Sequence, residues 1–210
     1  MTEIIATAAV VLVAWFAAGT IWNVSRGRAF MRWMQGGLSA LGERTTVRWL
    51  GSTAVEMVIR HGKAPFTNVT LLIFLEPRDT PWTWAIGRAS GRRDTLIIRG
   101  GLCRIPDLEL EGLDSRSWSG RDALPRVPRA WPVRQAAIRG AVDVHHASAA
   151  ALTRAHELLT LAHHAGLEVK RLSVRRAEPN FQLHILLPSE RQRPDDFFNT
   201  VHTLADRATA

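Results

Sequence analysis

The sequence predicts an α+β protein: one N-terminal transmembrane helix, then an antiparallel β meander, then a C-terminal β-α-β-β-α unit. Three observations carry this. Ile4 to Trp22 is a run of nineteen residues without a charge. Residues 44–112 hold short segments that alternate apolar and polar at period two. The last seventy residues place two amphipathic, well-signalled helices among apolar strand-like runs.

The anchor comes first. Nineteen residues at a rise of 1.5 Å cover about 28 Å, close to the hydrocarbon thickness of a bilayer. No face of the run is polar, so it lacks the striping of a soluble surface helix. A cleaved signal peptide is the competing reading, but such peptides begin with positive charge and the leader here is Met-Thr-Glu. Arg26, Arg28 and Arg32 follow the run at once. The positive-inside rule then puts the amino terminus outside and the remainder in the cytoplasm. Trp22 and Trp33 suit the headgroup level, whereas Trp15 falls near mid-span. Residues 1–25 are read as the anchor and 26–43 as a basic juxtamembrane segment, through which the helix can continue to Gln35 before Gly36, Gly37 and Gly42.

Residues 44–114 form the β-rich half. Thr45 to Leu50 is rich in β-formers, and Val55, Met57 and Ile59 alternate with Ala54, Glu56 and Arg60. Gly51-Ser52 between them suits a two-residue hairpin loop. Asn68 to Leu75 is apolar on both faces and reads as a central strand closed by Pro77. Thr95–Ile98 and Leu108–Leu110 are two shorter strands, with Glu109 and Glu111 on a face that solvation explains. Residues 115–135 then break every period with Pro125, Pro128, Pro132, Trp118 and Trp131, and are expected to be a loop or linker. In residues 136–210, Ile138, Gly140, Val142 and Val144 share one strand face. Ser148 caps a helix running to Ala165, and Gly166 stops it. Leu167–Val174 and Phe181–Leu187 follow as strands. Pro194, Asp195 and Asp196 open a closing helix that buries Phe197, Val201, Leu204 and Ala208.

After position 25 there are 27 basic and 18 acidic residues, a net charge of +9, with Lys63 and Lys170 the only lysines. Such a domain, tethered at an inner leaflet, is drawn to anionic lipid. Nucleic acid is the other standard partner of a basic surface and ranks behind lipid and protein. The single Cys103 leaves no intramolecular disulfide to form, in keeping with a reducing compartment.

Motifs for catalysis are missing. His156 and His163 are seven apart, about 10.5 Å along a helix, too far to clamp one ion. His145, His146 and His184 are the weaker alternative set for a metal, and His145, His146 and Cys103 the best residues for an inner-leaflet enzyme or ligand-binding protein. Gly87 to Asp94 has glycines and arginines but not the Gly-Lys-Ser/Thr ending of a phosphate loop. No cofactor is expected. The surface signal lies in basic aromatic segments: Trp82 and Trp84 with Arg92 and Arg93, and Arg126 and Arg129 with Trp131. Together with Arg26, Arg28, Arg32 and Trp33 they are the expected contacts to lipid or to a larger membrane-protein partner. The function expected from these features is that of a non-enzymatic adaptor or accessory subunit.

Overall fold

No proline interrupts the first 35 residues, and the helix that opens the chain continues well past its apolar run. Helix α1 spans Thr2–Gln35 in the computed structural model, which describes residues 1–136 and 142–209. Its two halves have different surroundings. Every residue from Thr2 to Ala18 is exposed, whereas Gly19, Asn23, Gly27, Phe30 and Met34 are buried. Those five step by four, four, three and four residues, which puts them on one side of the helix. The second half of α1 is therefore a core helix, and the first half projects from the domain.

Beyond a 3-10 turn at Leu38–Ala40, strands β1 (Gly42–Trp49), β2 (Ala54–Gly62), β3 (Phe66–Phe74) and β4 (Thr95–Leu102) form the expected meander, each antiparallel to the next. The first turn takes four residues, 50–53, rather than two, and Leu50 N–H closes it on the Ala54 carbonyl at 2.9 Å. Between β3 and β4 lies a short helix, α2 (Pro81–Ala89), which carries Trp82 and Trp84 of the basic aromatic segment. Proline at its first position needs no hydrogen-bond partner, which favours the start of a helix there.

The fifth strand, β5 (Leu110–Leu113), leaves the meander. It lies between β7 (Val142–His146) and β8 (Val169–Val174), and β9 (Phe181–Leu186) joins β8 to β4. Among the described residues the outcome is one nine-stranded antiparallel sheet in the order β1-β2-β3-β4-β9-β8-β5-β7-β6, with β6 (Val133–Ala136) at the far edge. Residues 115–135 are thus not structureless. They form helix α3 (Trp118–Ala123), a 3-10 turn at Leu124–Arg126 and β6. Ser117 starts α3, its Oγ accepting the Gly120 N–H at 2.9 Å. The expected positions of Ile138 and Gly140 lie outside the described residues.

Strand β7 leads into α4 (Ala149–His164), capped by Ser148 Oγ, which accepts the Ala151 N–H at 3.2 Å. Gly166 ends it at φ +74°, a left-handed conformation that a side chain would strain. Helix α5 (Pro194–Arg207) carries Asp195 and Asp196 in its first turn and buries Phe197, Phe198, Val201 and Leu204.

Alternation sorts the sheet into two faces. Met57, Leu71, Ile98, Leu183 and Leu172 are cross-strand neighbours on one face and belong to a single core with residues of α1, α4 and α5. On the other face the α3 segment covers a small patch around Leu113, Ala123 and Val127, with Trp131 at its rim.

Candidate functional site at the base of the exposed half of α1

Where α1 passes from bare to buried, the chain builds a polar collar around it. The loop after β3 and the start of β4 bring two carboxylates there, Glu76 and Asp94, at 2% and 8% exposure. Asp94 accepts the Glu76 backbone N–H at 2.8 Å, both terminal nitrogens of Arg78 at 3.0 Å, and Arg26 Nε of α1 at 2.6 Å. Burial pushes the Asp94 carboxyl up, and the Arg78, Glu76 and Arg26 contacts outweigh it, so its pKa lies below the ordinary value. Glu76 accepts Trp84 Nε1 at 2.7 Å and Arg88 Nη1 at 3.1 Å, both from α2. Arg78 also donates to Asn23 Oδ1 of α1 at 3.2 Å. Each buried carboxylate thus meets several donors, the condition under which buried charge is tolerated.

Trp15 finds its account here. Its Nε1 donates to the Arg78 carbonyl at 2.9 Å, and its ring lies 6.5 Å from that of Trp84. Gly19 makes the approach possible: an added Cβ would run into the Arg78 carbonyl and the Asp79 backbone. Together Trp15, Ala18, Gly19, Trp22, Arg78 and Trp84 line an apolar groove of about 420 Å³ between α1 and the base of α2. Along α2, Trp82, Ala85, Ile86 and Ala89 are all exposed, at the spacing of one helical face. Trp82 is 57% exposed and Ile86 69%. The basic rim of this face is Arg88, then Arg92 5.8 Å over the Trp118 ring and Arg93 donating to the carbonyls of Arg88 and Arg92. Arg121 of α3 bonds the Ser90 carbonyl, tying the same corner together.

The other expected contacts are distributed differently. Trp33 packs inward against Phe30, Phe197 and Phe198, and its Nε1 donates to the Gln192 carbonyl at 2.7 Å. Arg28 and Arg32 border a groove beside β1. Arg126 pairs with Asp122 at 2.9 Å, Arg129 is exposed, and Trp131 lies under Arg175 at 4.3 Å.

A second polar cluster occupies the face of the sheet opposite α1, α4 and α5. Glu111 is fully buried rather than solvated. It accepts Arg171 Nε at 2.5 Å, Ser173 Oγ at 2.8 Å and Arg175 Nη2 at 3.0 Å. Beside it His184 shares a hydrogen bond with Ser119 of α3 at 2.5 Å. Burial, then the charges of Arg171, Arg99 and Arg126, lower its pKa to about 3.

The histidines do not converge. His145 pairs across from Glu111 and His146 across from Leu110, so the two adjacent side chains take opposite faces. His184 on β9 is three strand spacings from β7, about 14 Å. Cys103 is exposed beyond the end of β4. Among the described residues no three His, Cys, Asp or Glu side chains gather to hold a metal ion. Glu76, Arg78, Asp94 and Asn23, which build the collar, carried no local sequence signal. The chain matches no protein-family model and no curated protein sequence.

Proposed function

We propose that this is a single-pass membrane protein whose cytoplasmic domain works as a non-enzymatic adaptor or accessory subunit, docked on the inner leaflet and on a larger membrane partner. The supporting observation is the division of α1. Ten large apolar side chains between Ile4 and Trp22 are exposed on a helix long and apolar enough to cross a membrane. Leaving them in water forgoes about 15 kcal/mol or more, as much as the whole stability of an ordinary domain. A cleaved leader fits poorly, because the same helix runs on without a break into the core at Phe30 and Met34. Arg26, Arg28 and Arg32 after the span favour the cytoplasmic orientation. The exposed face of α2, beside the span, suits the headgroup layer.

Cys103, the sole cysteine and exposed, provides the test. A membrane-impermeant maleimide should label it only after cells are permeabilised, and the protein should resist carbonate extraction. Labelling of intact cells would reverse the orientation, and release by carbonate would remove the anchor. Gentle-detergent purification of the full chain should retain a membrane protein at stoichiometric level, and a clean monomer would count against the adaptor role.

A further inference from the structure

We infer that the open edge at β1, with the groove beside it, binds an extended acidic segment of a partner protein as an added strand. This rests on the adaptor reading and gives it a docking surface. Strand β1 pairs with β2 alone among the described residues, and Thr45 to Trp49 pair with β2 residue by residue. Natural edges are usually guarded by proline, a bulge or an inward-pointing charge. The stretch Thr45–Trp49 has none of these. Its one charge, Arg48, is on the opposite face from Val47, paired with Glu56 at 2.7 Å.

The helix-covered face continues past α1 into open space. Val47 is 48% exposed there, and a groove of about 610 Å³ separates β1 from α1. Met31, Leu38, Val47 and Met57 give it an apolar lining, and Arg28 and Arg32 stand on its α1 side. Neither arginine has a hydrogen-bond or ion-pair partner among the described residues. A free backbone edge, an apolar groove and two unpaired cations together fit an extended peptide. Its backbone would continue the sheet, and alternate side chains would meet the groove and the arginines.

Two other occupants fit less well. A second copy would bring both sets of Arg28, Arg32 and Arg48 to one seam, where like charges repel. Lipid fits less well, since Arg28 and Arg32 lie six and ten residues beyond Trp22, about 9 and 15 Å along the helix axis, against a screening length of about 8 Å.

The test uses the full chain in nanodiscs of zwitterionic lipid. The probe is a fluorescein-labelled eight-residue peptide of alternating Val and Glu, with a Val/Lys counterpart as control. Anisotropy should report binding of the Glu peptide only, and hydrogen exchange should slow at residues 45–49. The double variant Arg28→Glu/Arg32→Glu should weaken binding at least tenfold while remaining membrane-bound. Val47→Glu, which leaves α1 untouched, should weaken it similarly. Equal binding of both peptides, protection elsewhere, or indifference to these variants overturns the inference. Loss of Glu-peptide binding when the nanodisc lipid is made anionic would make the arginines lipid contacts and overturn it as well. If the Glu peptide fails while a stoichiometric membrane partner still co-purifies, the edge site falls and the adaptor reading stands.

Discussion

His184 is kept neutral by burial and by the arginines around it, and that gives the fold a pH dependence at one residue. Its pKa of about 3 lies far below the ordinary 6.5. As pH falls, the unfolded chain takes up the proton first, so stability is complete above about pH 6.5 and declines from there towards pH 3. Between pH 7 and pH 5 this one group should cost about 2 kcal/mol. His184→Gln retains a hydrogen-bonding partner for Ser119 and cannot titrate in this range. Unfolding followed by tryptophan fluorescence should show the variant losing less stability than the wild type over that interval. An equal loss would place the titrating group elsewhere. Residues of this kind were the least legible in the sequence. Glu111 looked solvated because its partners Arg171 and Arg175 are sixty or more positions away, and only the sheet order makes them neighbours.

Helix α2 is an element that leaves little trace in the sequence. Nine residues with a glycine near the end are too few to show a period, and a short helix has little stability by itself. It is held by contacts from outside, Trp84 and Arg88 on Glu76. Its basic aromatic character, by contrast, was legible, and the structure puts Trp82 and Trp84 on a helix beside the exposed half of α1. With Cys103→Ser removing the native thiol, Ile86→Cys can carry an environment-sensitive nitrobenzoxadiazole dye. In anionic vesicles the dye should emit in the blue-shifted range of an interfacial site. Water-like emission would mean that this face of α2 does not meet lipid. The long elements behaved otherwise. For α4 and α5, the capping Ser148, the stop at Gly166 and the Pro194 start were visible, since these signals act within a turn of the residues that carry them.

At the scale of the molecule, the α+β class, the meander and the β-α-β-β-α order followed from periodicity, because burial on one face leaves its mark on every second or every third and fourth residue. The insertion of β5 between β7 and β8 did not, since strand order depends on pairings that leave no local trace. Nor did the grip of the domain on α1, which depends on Gly19, Asn23 and the distant loop at Arg78. That grip has a consequence for the bilayer. Every residue from Thr2 to Ala18 is exposed, and these seventeen residues reach about 25 Å. A typical hydrocarbon layer is about 30 Å. The collar fastens α1 through Trp15, Asn23 and Arg26, so the helix cannot slide to make up the difference. Thermal stability in vesicles of graded acyl length should therefore be highest in short-chain lipid and fall as the chains lengthen. A flat profile would mean that the collar yields to the membrane. With α1 crossing a bilayer as proposed, the domain is a depth stop: hydrophobic mismatch is set into the fold, and the protein favours thin bilayers or thins the one around it.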